Sequence, residues 1–315
     1  MTTTPSLRLR VRTRFRASAT VAGFVLEHPE GHELPSWEPG AHVTVHLPTG
    51  IERQYSLCGD PGDRASYRIG VLREPDGRGG SAWMHARLHE GDDVTVTGPR
   101  NHFELVDRGT GHHFLAAGVG ITPILPMVRH CEERGTDWRL TYLGRSRESM
   151  AFLDELAQLP GGRVHVHADD ESGAADLGKL LASGDDDRLV YACGPEGLLR
   201  AVESVMAVRP PGALRVERFA PQESAPGRPF TVTFASSGVT AEVPADASIL
   251  DVAQEHGIPV EYSCREGTCG TCETAVLGGR PDHRDSVLSP EERESGETML
   301  ICVSRSLTPG IELDL

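Results

Sequence analysis

From residue 7 to residue 16, apolar and basic side chains alternate one for one: Leu7, Leu9, Val11, Thr13 and Phe15 against Arg8, Arg10, Arg12, Arg14 and Arg16. A period of two predicts a strand with one buried and one solvated face. The interleaving argues against a basic nucleic-acid arm, whose arginines need no apolar partners. Shorter runs of the same kind at 42–47, 67–72 and 94–96 are parted by Gly, Pro and Asp turns. That spacing predicts an antiparallel barrel or sandwich over residues 1–106.

The pattern changes near residue 112. Phe114-Leu115-Ala116-Ala117 reads as a buried strand, and Gly118-Val119-Gly120 turns the chain into a helix over 123–134. A strand at 139–143, a helical segment at 152–159, strands at 164–167 and 189–192 and a helix ending near Val208 follow. Strands alternating with helices predict a parallel sheet with crossover helices, an α/β domain over 107–222. Residues 220–229, APQESAPGRP, carry three prolines and no apolar period. They read as an interdomain segment, with the linker proper at 223–229.

Beyond it, residues 230–234 and 239–243 read as a hairpin around Ser236-Ser237-Gly238. Ser248 with Asp251, and Ser289 with Pro290 and Glu292, have the spacing of helix starts. A third domain is thus expected over 230–315.

Charge narrows the function. The chain has 315 residues and a formal net charge of −15, which disfavours nucleic-acid binding because phosphate neutralisation needs clustered Lys and Arg. The longest apolar run, 114–128, is broken by Gly118, Gly120, Pro123 and Pro126 and falls short of the ~20 residues of a membrane span. The N-terminal MTTTPSLRLR has no apolar core behind its charges, so no secretory signal is expected. A cytoplasmic chain acting as a monomer, without membrane partners, is expected.

Of seven cysteines, Cys58, Cys131 and Cys193 are scattered, and Cys264, Cys269, Cys272 and Cys302 lie in the last third. The spacing C-x4-C-x2-C with a distant fourth cysteine is that of a plant-type 2Fe–2S centre. Three thiolates must converge from one short loop, and Gly267 and Gly270 allow the backbone to curl there with amides facing sulfur. A zinc site is the rival, although zinc more often takes two close Cys pairs or mixes in His. Cys58 and Cys131 read as buried, inert thiols. His165 and His167 share a strand face without a third ligand in view.

Residues 230–315 resemble a plant-type ferredoxin of β-grasp fold. The whole chain resembles the phthalate dioxygenase reductase family, with its motif groups in the order flavin, nicotinamide, cluster. The resemblance implies the fold class: an antiparallel β-barrel flavin domain, an α/β nucleotide domain and a C-terminal ferredoxin domain.

Arg53-Gln54-Tyr55-Ser56-Leu57 matches the family's R-x-Y-S motif. By that resemblance Arg53 pairs with flavin phosphate, Tyr55 packs on the ring and Ser56 hydrogen-bonds near its reactive nitrogen. Gly79-Gly80-Ser81 opens a helix whose N-terminus suits a phosphate, or else forms a plain turn capped by Ser81. FMN is implied, and the residues themselves leave FAD open.

Ala117-Gly118-Val119-Gly120-Ile121-Thr122-Pro123 matches the family's G-x-G-x-T-P turn, which sets backbone against a nicotinamide pyrophosphate. Tyr191-Ala192-Cys193-Gly194-Pro195 matches its C-G-P turn, with Cys193 as a positioning residue beside the nicotinamide. A core thiol is the alternative. Phe219 matches an aromatic that covers the flavin, with core packing as the alternative. Arg145 and Arg147 follow the second strand of this domain, where they could read a 2′-phosphate of NADPH; the family resemblance favours NADH.

The implied activity is hydride transfer from NADH to FMN, then single electrons through the 2Fe–2S cluster to a terminal oxygenase. A Rieske non-haem iron partner leads, and a haem-thiolate monooxygenase is the alternative. A non-catalytic redox sensor or carrier is the reading from another class. Residues 230–315 hold five basic against fifteen acidic side chains, a surface that suits a basic partner or ordinary solubility.

Overall fold

Eleven residues of alternating pattern form strand β1 (Ser6–Arg16), and the six-stranded sheet built on it is completed by β2 (Val21–Glu27), β3 (Ala41–His46), β4 (Glu52–Ser56), β5 (Ser66–Leu72) and β6 (Asp93–Asn101). The computed structural model describes residues 6–75, 77, 79–106, 111–181, 187–219 and 227–315. Two compact units emerge, Met1–Val216 and Glu217–Leu315.

Sheet order is β4-β3-β6-β1-β2-β5. A bridge between Leu57 and Ile69 joins the two ends, so the sheet closes into a barrel. Leu9, Val11, Phe24, Val43, Tyr67 and Ile69 fill its interior. The alternation in β1 slips at a bulge between Val11 and Thr13. Phe15 then lies over Gly23, where any added Cβ would strike its ring. Helix α1 (Gly80–Arg87) sits between β5 and β6.

The α/β part has the order β11-β10-β7-β8-β9. Its strands are β7 (His112–Ala117), β8 (Trp138–Gly144), β9 (Val164–Ala168), β10 (Leu189–Cys193) and β11 (Leu214–Glu217), with helices α2 (Ile121–Arg134), α3 (Leu153–Leu156), α4 (Asp169–Ser172), α5 (Leu177–Leu181) and α6 (Glu196–Met206). Strands β10, β7, β8 and β9 run parallel. Strands β7 and β10 are buried along their whole length, as central parallel strands are, whereas the edge strand β9 exposes His165. The helical segment expected over 152–159 is shorter than its pattern suggested. Phe152 adopts φ 62° and stands outside the helix, and Pro160-Gly161 follow closely.

In the second unit, β12 (Phe230–Phe234) and β13 (Val239–Val243) form the expected hairpin. They are followed by helix α7 (Ile249–Glu255), β14 (Glu273–Gly278), β15 (Pro281–Asp282), α8 (Pro290–Ser295), β16 (Thr298–Leu300), β17 (Arg305–Ser306) and β18 (Gly310–Leu313). The main sheet has the order β13-β12-β18-β14-β16, with β12 and β18 parallel at its centre. Helix α7 buries Ile249, Leu250, Val252 and Ala253 in this unit's apolar core. That is the β-grasp arrangement.

Both expected caps form. The Ser248 hydroxyl accepts from the Asp251 amide at 3.1 Å, and the Ser289 hydroxyl from the Glu292 amide at 3.2 Å. Of the expected linker, residues 223–226 lie outside the described ones. Among the described residues, no helix is long and apolar enough to cross a membrane.

Candidate functional site

Strand β4 sets Arg53 and Tyr55 on one face by its period of two. Arg53 reaches across to α1: a Cβ on Gly80 would lie 2.9 Å from its Cγ and 3.1 Å from its Nε. Helix α1 has Gly79 at its N-cap and no side-chain cap, so its first amides keep a guanidinium for company. Ser81 is no cap; its hydroxyl accepts from the Glu74 amide at 3.2 Å. A helix N-terminus beside an arginine is a site for a phosphate. Burial drives the Tyr55 phenol above its ordinary range despite the nearby Arg53, so it stays neutral and suits a flat ring.

Ser56 ends β4. It is 4% exposed, and its hydroxyl has no protein partner. A buried hydroxyl without a partner costs the fold free energy, so a polar group of a bound molecule fits there. Leu57, fully buried, belongs to the barrel core and closes its seam.

The first turn of the α/β part is built by close approach. A Cβ on Gly120 would come within 2.2 Å of the Cys193 carbonyl oxygen, and one on Gly194 within 2.9 Å of Ala117 Cβ. The G-x-G-x-T-P and C-G-P turns, some seventy residues apart, therefore pack against each other at the ends of β7 and β10. The Tyr142 hydroxyl donates to the Gly118 carbonyl at 3.0 Å and accepts from the Ala151 amide at 3.0 Å. Sequence reasoning passed over Tyr142 because nothing local marks a tyrosine that braces two loops.

Thr122 is buried and donates back to the Val119 carbonyl at 2.9 Å. Gly70 on the barrel strand β5 leaves room for its methyl, since a Cβ there would lie 2.9 Å from Thr122 Cγ2. Pro123 is buried inside α2, and Pro195 caps α6.

Cys193 has no exposed surface and lies in the apolar core. Arg145 is exposed, while Arg147 is engaged with the Glu171 carboxylate at 2.9 Å. His167 meets the Gly173 carbonyl at 2.8 Å, so the His165–His167 face has its own structural use. Phe219 is 45% exposed and stands outside every apolar cluster of the described residues. Core packing is therefore not its role.

In the second unit the loop after α7 carries Cys264, Cys269 and Cys272, and Cys302 follows β16. Gly267 and Gly270 take φ of 68° and 71°, which lets the loop curl. The Glu266 amide donates to Cys264 Sγ at 3.3 Å, and the Thr271 amide to Cys269 Sγ at 3.4 Å. Cys264 is side-chain partner to both Cys269 and Cys302, and Cys272 to Cys302, so the four thiols form a chain of neighbouring pairs. Cys269 and then Cys302 hold the Cys264 thiol far below its ordinary value, whereas Cys264 and then Cys272 push Cys302 far above it. Four thiols this close cannot all ionise without cations among them. Bridged irons supply that charge, and amides aimed at sulfur are what such a centre takes. The residues fit the cluster.

Two family models match the chain: a 2Fe-2S iron-sulfur cluster binding domain over residues 232–307 and an oxidoreductase NAD-binding domain over residues 114–204. The chain is 44% identical to the phenoxybenzoate dioxygenase subunit beta of Ectopseudomonas oleovorans, over 98% of this chain and 97% of that protein. It is 38% identical to the phthalate dioxygenase reductase of Burkholderia cepacia, over 98% and 97% respectively.

Among solved structures, phthalate dioxygenase reductase matches with a TM-score of 0.71 at 38% identity over 98% of each chain. An intact type IV self-sufficient cytochrome P450 monooxygenase matches with a TM-score of 0.93 at 39% identity over 98% of this chain, which spans 41% of that protein.

A chain with these domains in this order is a nicotinamide-dependent flavin and iron–sulfur oxidoreductase that carries electrons from NADH to a 2Fe–2S centre. It belongs to the phthalate dioxygenase reductase family, an FMN-containing family.

Proposed function

We propose that this chain is the reductase component of an oxygenase system, passing electrons from NADH to a separate terminal oxygenase of the Rieske non-haem iron type. The flavin domain is residues 1–106, the nucleotide domain 107–222 and the ferredoxin domain 230–315. The observation that carries the reading is the convergence of Cys264, Cys269, Cys272 and Cys302 in a chain of the same length as named oxygenase reductase subunits. Those include the phthalate 4,5-dioxygenase oxygenase reductase subunit of Pseudomonas putida, 38% identical over 96% of that protein. All seven cysteines are free, which suits a reducing cytoplasm.

When bound, FMN would supply the conversion of a two-electron hydride into single electrons, and the cluster held by the four cysteines would supply a one-electron outlet. The chain's own residues do the rest. Arg53 and the α1 N-terminus would hold the flavin phosphate, and Tyr55 would offer its neutral ring. Ser56 would present its unpartnered hydroxyl to the bound flavin. Gly118, Gly120, Thr122 and Pro123 seat the nicotinamide pyrophosphate. Cys193, Gly194 and Pro195 shape the floor beneath the nicotinamide, with Cys193 a positioning residue. Arg147 is tied to Glu171, which leaves a 2′-phosphate one exposed arginine, Arg145, and favours NADH.

The test is an anaerobic absorbance spectrum with and without NADH, then turnover with cytochrome c. Flavin and cluster bands should both bleach, and Cys269→Ser should stop delivery of single electrons while flavin reduction survives. Absent iron and sulfide, or a C269S variant that still reduces the acceptor, would overturn the reading. Lack of rapid turnover would instead support a redox sensor.

The likeness to the self-sufficient P450 favours a second reading, a haem-thiolate partner. Mixing the reduced protein with each oxygenase type, and following which one accepts electrons in the millisecond range, separates the two. The acidic ferredoxin domain should make that rate fall with ionic strength.

A further inference from the structure

Behind the cysteine loop lies a charged group that the electron-transfer reading leaves without a role. Asp285 has no exposed surface. Its Oδ1 accepts from the amides of Val287 at 2.9 Å and Leu288 at 2.8 Å. Its Oδ2 is buried with no hydrogen-bond partner, as are both ring nitrogens of His283 and the hydroxyl of Ser286. His283 Nδ1 stands 3.8 Å from Oδ2, too far to bond. Arg293 of α8 lies beside it, with Nη2 3.6 Å from Oδ1 and donating to the Asp285 carbonyl.

This segment touches the loop that carries Cys264 and Cys269. A Cβ on Gly267 would lie 3.0 Å from Asp285 Cα, and the Ser286 amide donates to the Gly267 carbonyl at 2.8 Å. A carboxylate in this dry position costs the fold free energy, because only one of its oxygens is satisfied. Two apolar residues would pack there more cheaply. A buried charge beside a redox loop is screened little by salt and acts on whatever charge the loop gains.

We propose that the Asp285–Arg293 pair is a positioning and tuning element for the cluster, with the Asp285 carboxylate lowering its reduction potential and Arg293 moderating that effect. Reduction adds a negative charge to the cluster, and a neighbouring carboxylate disfavours it. The guanidinium, 3.6 Å from Oδ1, opposes the carboxylate. The proposal rests on the cluster reading of the four cysteines.

The experiment is a redox titration of holoprotein D285N, R293Q and R293K, read by the reduced-cluster EPR signal beside iron and sulfide content. D285N should raise the midpoint, with about a tenfold higher reduced-to-oxidised ratio at fixed potential, which is 59 mV for one electron. R293Q should lower it, and R293K should stay near the unaltered protein. The D285N shift should persist in high salt.

A D285N midpoint that is unchanged or lower overturns the proposal, as does an R293Q midpoint that rises, since mere disruption of the loop would move both variants the same way. Should D285N fail to assemble a cluster, R293Q decides alone: a lower midpoint supports the tuning role and any other result overturns it. Absence of iron and sulfide from the unaltered protein would instead fault the cluster reading.

Discussion

Arg68 on the barrel strand β5 donates to both oxygens of Glu155 on α3 of the nucleotide domain, at 2.9 Å and 3.1 Å. The same guanidinium reaches the Cys58 carbonyl, two residues past Ser56, at 3.1 Å through Nε. It also lies 5.1 Å over the Phe152 ring. Arg129 of α2 also donates to Glu155, at the Oε2 it shares with Arg68. One carboxylate thus ties the seam of the flavin barrel to two helices of the domain that seats NADH.

Glu155→Gln should therefore loosen the first unit and misplace the two halves of its site. The side chains of Arg68 and Glu155 are only 18% and 29% exposed, so the loss should be about 2 kcal/mol, as for hydrogen bonds to charged groups. Urea unfolding checks the stability. Stopped-flow reduction of the flavin by NADH should slow several-fold with the flavin still bound.

Ser56→Ala tests the unpartnered hydroxyl. Since the hydroxyl satisfies nothing in the protein, unfolding of the apoprotein should change by no more than about 0.5 kcal/mol. Flavin reduction by NADH should slow about 10–100-fold, a barrier rise of about 1.4–2.7 kcal/mol.

Cys58 predicts a limit at alkaline pH. Burial pushes its thiol up from 9.0 to about 11, with Arg68 pulling the other way. The unfolded chain therefore loses this proton first as pH rises. The stability is whole below pH 9 and drains between 9 and 11, by an order of 3 kcal/mol at most. Denaturation midpoints at pH 8 and pH 10.5, compared between the protein and Cys58→Ala, isolate this share. In the native state Cys58 should also resist thiol reagents at neutral pH.

Glu171→Gln frees Arg147 from its 2.9 Å ion pair. Both side chains are about half exposed, so stability should not change measurably. The ratio of kcat/KM for NADPH to that for NADH should rise several-fold, because a guanidinium released beside Arg145 can meet a 2′-phosphate. Steady-state assays with both nucleotides measure it.

Local pattern was enough wherever neighbours in sequence are neighbours in space. The period of two located β1, the turn at Gly238 located the β12–β13 hairpin, and serine spacing located both caps. The cysteine spacing was legible because three ligands sit within nine residues and only a tightly curled loop can use them. The helix expected at 152–159 misled, since a positive φ at Phe152 is a tertiary demand with no local signal. The bulge after Val11 was hidden for the same reason.

The amino-acid sequence alone determined the order of the antiparallel, alternating and cysteine-bearing segments, because period, turn residues and ligand spacing act over a few residues. Only the tertiary structure decided what closes the barrel at Leu57 and Ile69, what seats the Gly120 turn against Cys193, and where Arg68, Glu155, Asp285 and Arg293 find their partners. Charges and close backbone contacts act through space, and the chain brings them together from positions too distant for any pattern to record.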